Sequence, residues 1–382
     1  MSTSTTTPSQ PEQQRLRELP RLPFRIVVEP RMNVPRWLAP ATSIGAVILA
    51  LVIGGVVIQF AGGDPIESYA HIFKAAFGSV GVFSDTLVKA TPLILTGLAC
   101  TLAFRMKLWN IGAEGQFFMG AWGASAVVLA PLLPATTPRI IMLSAMMLAG
   151  FACGALWGSV PGFLKANLNV NEIITSLMMN YIATPWILFW VFGSWSDAGF
   201  QMSPMFPKTA WLPRLTDYAR QFPNLQLSGL TLHLGLAFGL VAAVVVWFIL
   251  NRSRWGFEIR LTGDNPRAAR YAGINIVRNT VLVMMLSGGL AGLAGMSEIA
   301  GVVHRLQGSI SPGYGFTGII IAWLAKLNAF GVILVAILFG GLLLAGREIQ
   351  PSGIPRMLQG IILFTVIASD VVLRYHIRIV RR

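Results

Sequence analysis

The stretch Arg260–Ile276, RLTGDNPRAARYAGINI, decides how the chain is read. It lies within a polar, basic segment, Asn251–Asn279, set between two long apolar runs. Asp264 and Asn265 stand just before Pro266, and an Asx residue followed by Pro at the first helical position is a helix start. Gly273 reads as the stop. A short helix over about Pro266–Ala272 is therefore expected outside the apolar runs. Two readings of it stand: a mechanical handle for something pushing on it, or a solvated connection between two spans.

Working outward, the flanking runs place the chain in a bilayer. Hydrophobic residues make up 54% of it and charged residues only 12%, against roughly one quarter charged in a soluble domain. Several runs reach the about 20 residues that cross a bilayer core. The net charge of +14 implies no nucleic-acid partner, because the basic residues cluster in a few loops and tails, as the positive-inside rule expects. Between Asn251 and Arg278 stand Arg252, Arg254, Arg260, Arg267, Arg270 and Arg278, against Glu258 and Asp264. That imbalance assigns the segment to the cytosol. Residues 1–36 are rich in Ser, Thr, Pro and Arg, and read as a basic, disordered cytosolic tail without the apolar core of a signal peptide. Residues 374–382, with Arg374, Arg378, Arg381 and Arg382, read as a second cytosolic tail. Cys100 and Cys153 lie in apolar runs as small buried residues, with no disulfide framework.

The fold class is accordingly an all-α polytopic membrane protein, with a transmembrane domain over 37–373. Expected spans are about Leu38–Phe60, Thr86–Phe104, Leu108–Leu133, Ile140–Leu164, Asn171–Phe192, Leu230–Leu250, Asn279–Val303, a short Gly313–Lys326, Val332–Ala345 and Met357–Leu373. The count is about ten, with both termini cytosolic. Asn328 and Gly331 separate the eighth and ninth, a pair that looks like helices broken within protein. Gly62–Asp85 holds an amphipathic helix that lies on the membrane surface or packs on other spans. Residues 193–229 form the longest outer loop, a place to receive a soluble partner. Lys89 sits where a lysine can snorkel to the surface.

Polar residues inside these runs are the candidate site. Asn110, Glu114 and Gln116 interrupt LWNIGAEGQFFMGAWGA, Leu108–Ala124, among Gly112, Gly115, Gly120 and Gly123. An intramembrane carboxylate is expensive and marks function by default. The rival reading is a helix start, with Asn110 as cap and Glu114 near the positive end of the dipole. Asn180 faces substrate or bonds another helix. Glu298 is the second carboxylate, and Pro185 is expected to kink its span. Gly150, Gly154, Gly158 and Gly162 recur every four residues, and Gly288, Gly292 and Gly295 with Ala291 repeat the pattern. Such stripes allow close helix approach.

Chemistry of other kinds is missing. The sequence has no G-x-x-x-x-G-K-[ST], H-E-x-x-H or G-x-S-x-G, and no paired-cysteine metal pattern. His71, His233, His304 and His376 fall on separate segments. No catalytic or metal-ligating residue is assigned. A spanning chain with interrupted helices and few buried charges fits a passage for a solute.

Three stretches resemble a known family. NIGAEGQ (Asn110–Gln116), NEIITSLMMNYIA (Asn171–Ala183) and GDNPRAARYAGI (Gly263–Ile274) are similar to the permease subunits of bacterial ABC importers for nucleosides and simple sugars. These belong to the group that includes ribose and branched-chain amino acid permeases. GGLAGLAG (Gly288–Gly295) and the Gly-rich stretch Gly313–Gly346 fit as well, and the resemblance covers about Trp37–Leu373. It implies a multi-pass subunit of the bacterial inner membrane that pairs with a second permease, a different one in preference to a copy of itself. A cytosolic ABC ATPase would carry ATP and Mg, with no cofactor in this chain. A periplasmic or lipid-anchored binding protein would deliver substrate. Asp264, Asn265, Pro266, Arg267, Ala268, Arg270 and Tyr271 would form the coupling helix that docks on the ATPase. Asn110, Glu114, Gln116, Asn180 and Glu298 would line the path.

Two other classes are open to the same residues. An ion-driven secondary transporter would use Glu114 and Glu298 as ion sites and need no cytosolic handle. A membrane scaffold would have no path, and the buried carboxylates speak against it.

Overall fold

The computed structural model describes residues 24–31, 35, 37–222, 227–346 and 353–381. The expected tail therefore lies outside the described residues from 1 to 23. Among the described residues thirteen α-helices follow in chain order. They are α1 (Leu38–Phe60), α2 (Pro65–Phe77), α3 (Val80–Arg105), α4 (Ala113–Leu129), α5 (Arg139–Leu168), α6 (Glu172–Phe192) and α7 (Gly235–Arg252). After these come α8 (Arg254–Asp264), α9 (Pro266–Tyr271), α10 (Ile276–Glu298), α11 (Tyr314–Leu324), α12 (Ala329–Ala345) and α13 (Ile354–Arg374). Among the described residues six helices are long and apolar enough to cross a membrane: α1, α3, α5, α6, α7 and α10. The apolar helices α11, α12 and α13 are shorter, and α4 has 17 residues.

Burial sorts these helices. The apolar window of α3 is 89% buried and that of α10 is 72% buried, whereas α1 is only 22% buried. So α3 and α10 form the centre, and α1 stands outside, packed on α13. Its Ile44, Ile48, Val52 and Val56 are exposed, as suits a helix that faces acyl chains. The amphipathic α2 packs on another helix, one of the two readings its pattern allowed. Ala76 is buried and Gly341 of α12 closes on Ala76 and Phe77, while Ile66 and Phe73 stay exposed.

Helix α5 lies on α10 with almost no side chain between them. A Cβ built on Gly154 would sit 2.3 Å from the Gly288 carbonyl oxygen, and one on Gly158 2.5 Å from that of Met284. Gly162 faces Met284, and Gly150 faces Met296. On its other side α10 meets α4: Gly295 lies against the Phe117 carbonyl and Gly120 against the Gly292 backbone. Lipid gives helices no hydrophobic reason to associate, so contact this close is what holds them.

Two regions depart from the sequence expectations. Residues Phe24–Pro30, expected within a disordered tail, form strand β1, and Tyr375–Arg381 of the second tail form β2. They pair antiparallel from Phe24 with Arg381 to Pro30 with Tyr375. The segments FRIVVEP and YHIRIVR are rich in β-branched residues, a strand preference that arginine-rich surroundings conceal. The other departure is the basic segment, which contains one more helix than expected. Here α8 precedes the short α9, capped by Ser253 accepting from Gly256 N–H.

The glycine seam sets opposite signs for one kind of substitution. Gly360 on α13 has nothing within 4 Å of a built Cβ, so Gly360→Ala should stabilise by up to about 1 kcal/mol through helix propensity. Gly154→Ala must push backbone from backbone and should destabilise by about 1–3 kcal/mol. Thermal unfolding of the two variants in detergent checks the pair, and equal shifts would show the seam to be slack.

Candidate functional site

The break before α4 is built from buried polar groups. The backbone turns through Met106–Gly112 with Lys107 at φ 58°. Gly112, not Asn110, is the N-cap residue. Asn110 stands two residues earlier and serves as a hub. Its Oδ1 accepts from Gly112 N–H and from Gln116 Nε2, each at 3.1 Å. Its Nδ2 donates to Gln116 Oε1 and to Ser287 Oγ, each at 2.9 Å. Ser287 Oγ in turn donates to the Ala99 carbonyl at 2.7 Å. One amide pair thus ties α3, α4 and α10 together. From α6, Asn180 clamps the same break: its Oδ1 accepts from Gly115 N–H at 2.8 Å and its Nδ2 donates to the Ile111 carbonyl at 2.9 Å. A side chain at Gly115 would collide with Asn180.

Glu114 performs a related task on another helix. Its Oε2 accepts from Gly315 N–H at 2.6 Å, at the first turn of α11. Ser311 Oγ accepts from Gly313 and Tyr314 N–H at 3.0 Å each, and Thr96 Oγ1 donates to the Tyr314 carbonyl at 3.1 Å. So α11 starts beside the first turn of α4 and the interior of α3, deep in the bundle. A carboxylate at the positive end of a buried helix satisfies donors that lipid could not.

Next to these braces lies open space. Lys89 of α3 donates to Glu298 Oε1 of α10 at 3.1 Å and to the Tyr314 hydroxyl of α11 at 3.0 Å. The side chains are 11% and 3% exposed, so Lys89 does not snorkel to the surface as expected; the carboxylate on the neighbouring helix holds it inside. The pair lines a cavity of about 500 Å³ shared with Gln307, Ser309, Ser311 and Arg356. A second cavity of about 240 Å³, lined by Asp85, Arg214 and Thr231, meets the first at Lys89 and Val302. Of the five polar residues expected to line a path, Glu298 alone borders the larger cavity. Asn110, Glu114, Gln116 and Asn180 are all buried and brace the broken helices.

The cavity end of the bundle is covered by the segment that follows α6. Ser203, Phe206 and Leu212 donate backbone bonds to Leu306, His304 and Ala300 at 2.8, 2.8 and 2.9 Å. Arg214 donates to the Gly301 carbonyl and to His304 Nε2, both at 2.8 Å. Trp211 stacks on His304 at 3.9 Å. The cover grips a π-helical turn, Ile299–Val303, that follows Glu298 directly. Such turns recur at functional sites. Burial foremost, then the Arg214 charge, holds His304 down to about 4 and His233 to about 3.

At the opposite end stands the elbow of α8 and α9. Asn265 caps α9 by accepting from Arg267 and Ala268 N–H at 3.1 Å each. Pro266 is its first residue, and Gly273 follows at φ 76°. Ala269 is buried, whereas Arg267, Arg270 and Tyr271 point outward, Tyr271 94% exposed. The elbow rests on the site where α3 ends and the break begins. Gly263 would clash with the Arg105 carbonyl if it bore a side chain, and Asp264 pairs with Lys107 at 3.5 Å. Arg105 donates to the Leu327 carbonyl at 3.0 Å, which reaches the loop between α11 and α12.

Sequence reading missed Lys89, Tyr314, Ser287 and Arg214. For Lys89 a signal existed: charges inside a membrane pair with one another, and Glu298 was the available partner. Ser287 and Tyr314 looked like ordinary members of apolar helices.

Residues 82–367 match the family model described as branched-chain amino acid transport system / permease component. The chain is 35% identical to a glucose ABC transporter permease protein of Haloferax volcanii, over 92% of this chain and 93% of that protein. It is 36% identical to a guanosine ABC transporter permease protein of Bacillus subtilis, over 86% and 93%. A nucleoside ABC transporter permease protein of Lactococcus lactis subsp. cremoris is 32% identical over 81% and 84%. In Bacillus subtilis a second, different guanosine ABC transporter permease protein also matches, at 29% identity.

Two measurements follow from this geometry. Asn180→Ala leaves the Gly115 N–H and the Ile111 carbonyl without partners and should cost about 2–4 kcal/mol of stability in detergent; a neutral result would show that the break is held elsewhere. The two histidines are neutral when folded and titrate near 6.5 when unfolded. Their stabilisation is present above pH 6.5 and falls as pH drops towards 4, by up to about 1.4 kcal/mol per pH unit for each. A melting temperature measured from pH 8 to 4 should fall below 6.5, and less steeply in His304→Gln.

Proposed function

The chain belongs to the family of branched-chain amino acid transport system permease components, and from this premise we propose that it is the permease subunit of an ATP-driven ABC importer, forming the path for nucleosides or related small sugars. The observation that carries the reading is the elbow. Helix α9 presents Arg267, Arg270 and Tyr271 to solvent while Gly263 and Lys107 seat it on the break between α3 and α4. A push on α9 therefore arrives where α4 is interrupted, and through Arg105 at the loop that follows α11.

Ten apolar helices (α1, α3 to α7 and α10 to α13) crossing in alternation would put the elbow and both chain ends on one side. The pairing of β1 with β2 supports this, because it brings the two ends together. The arginines of Asn251–Arg278 make that side the cytosol, and the membrane is then the bacterial inner membrane. ATP and Mg are bound and ATP is hydrolysed by a cytosolic ABC ATPase, while this chain contributes no catalytic residue and no cofactor. A second permease completes the path, and a different one is favoured over a second copy, since Bacillus subtilis has two distinct guanosine permeases similar to this chain. A periplasmic or lipid-anchored binding protein delivers cargo to the face covered by the segment after α6.

Closure of the ATPase pair shifts the permease between two states only if α9 docks with different affinity in each. The cargo contact within this chain is the cavity beside Glu298, and the glycine seam of α4, α5 and α10 is the rigid frame against which α11 moves. Asn110, Glu114, Gln116 and Asn180 meet the path through the backbone they hold.

The test is charge reversal on the handle. Arg267→Glu with Arg270→Glu should lower substrate-stimulated ATPase activity by about tenfold or more in proteoliposomes holding the assembled transporter, with the melting temperature unchanged. Normal transport in that double variant would sink the coupling assignment.

A further inference from the structure

We infer that the groove bounded by α5, α8 and α10 binds an anionic phospholipid of the cytosolic leaflet, with its phosphate between Arg254 and Arg278, and that this lipid clamps the start of α8 to the start of α10. The inference takes the cytosolic side from the permease reading and adds a regulator to it.

The groove holds about 590 Å³. It shares no lining residue with the two cavities at Lys89 and opens on the outside of the bundle, where Leu282 is exposed. Phe151 and Ala155 of α5 and Leu282, Met285 and Leu286 of α10 make an apolar wall. Arg278 lies on the same face of α10 as these three, at the head of the groove, and Arg254 of α8 stands there with it. Phe151 closes the far end against Gly289. Eleven residues separate Arg278 from Gly289, about 16 Å along a helix axis. Half of a hydrocarbon core of about 30 Å is nearly the same depth. Charge at one end and apolar wall for one leaflet is the outline of a lipid.

The charges at the head leave a positive surplus. Besides the two arginines the groove has one carboxylate, Glu258. It accepts from Asn279 Nδ2 at 2.7 Å and stands 4.0 Å from Arg278. Arg254 makes no ion pair among the described residues. The only other carboxylate between Asn251 and Arg278 is Asp264, which is paired with Lys107. An apolar helix of a second permease laid in the groove would leave Arg254 beside lipid without an anion, which is costly. A phosphate answers it with charge-assisted bonds, and basic pockets between helices on the cytosolic side suit such headgroups.

The clamp follows from what joins these helices. Asn279 Oδ1 accepts from Trp255 Nε1 at 3.2 Å, so with the Glu258 bond one buried amide ties α8 to α10. Arg254 and Arg278 repel each other across that joint until an anion lies between them. Since α9 follows α8 directly, a bound lipid firms the support on which the handle is pushed.

The test uses the complete transporter in nanodiscs of phosphatidylcholine with and without phosphatidylglycerol. Native mass spectrometry of the released complex counts retained phosphatidylglycerol, and titration gives its affinity. Arg254→Gln with Arg278→Gln should lose one retained lipid and weaken binding by about ten- to a hundredfold, the range of one or more lost bonds to a charged group. Leu282→Trp, which fills the wall and leaves both arginines, should weaken it too. Arg252→Gln, an exposed arginine of the same segment outside the groove, should not, and inorganic phosphate should not displace the lipid. Phosphatidylglycerol should raise substrate-stimulated ATPase activity several-fold in the wild type and not in the double variant. Equal retention in wild type and double variant would overturn the site, as would an Arg252→Gln loss as large as theirs. Unchanged affinity in Leu282→Trp would overturn the acyl-chain assignment. Loss of the second permease from the double variant, with no lipid retained by the wild type, would give the groove to that subunit instead. Bound lipid without the rise in stimulation would overturn the clamp. Wild-type complex whose ATPase no substrate stimulates in either lipid would defeat the permease reading itself, and the lipid count would still decide the groove.

Discussion

Backbone resting on backbone is the constraint that orders this protein. In lipid, two helices gain nothing from hiding apolar surface, so they must gain from contact distance. The run of glycines on α5 and the matching run on α10 remove nearly every side chain from the centre of their interface. The consequence reaches beyond those two helices. Because α10 is pinned on one side by α5 and on another by α4, Ser287 and Glu298 are held at set depths. The braces on the break and the charged floor of the cavity both depend on those depths.

A second layer follows from the first. Inside a close-packed frame, an interruption of a helix needs its own polar partner. The chain supplies most of these from a distance in sequence, Asn180 for the start of α4, Glu114 for the start of α11 and Thr96 for its first turn, while Ser311 caps that turn locally. The first three are buried bonds between different helices. They make the breaks stable enough to exist while leaving them as the places where the backbone is least supported by helix ladders. The elbow of α8 and α9 bears on one of these places and the cavity opens beside another.

Much of this was legible in the residues. The spans Leu38–Phe60 and Glu172–Phe192 begin and end within a residue of where hydrophobic run length and the Asn171 cap put them. The α9 handle was readable because Asn265, Pro266 and Gly273 are local signals that no tertiary context overrides. What stayed hidden was relational. Lys89 and Glu298 are 209 residues apart, and only the rule that charges inside a membrane pair could have joined them. Asn110 looked like a helix cap because its neighbours fit that pattern, yet its side chain is claimed by Gln116 and Ser287. The strands at the two ends escaped because a few β-branched residues in each seven-residue segment are easily outvoted by the arginines around them. Helix α8 escaped for a similar reason, since its polar, basic surface has no apolar stripe of ordinary width.

The terminal ribbon has a consequence for how the protein is made. Phe24 pairs with Arg381 and Pro30 with Tyr375, so the first strand to leave the ribosome waits for the last. At roughly 5–20 residues per second, that strand spends tens of seconds or less with an open edge while every helix is inserted between it and its partner. Closing the ribbon therefore waits until residues 375–381 have been made. A truncated chain would carry an unpaired, β-branched edge at its start, the kind of surface that quality-control proteases and chaperones bind.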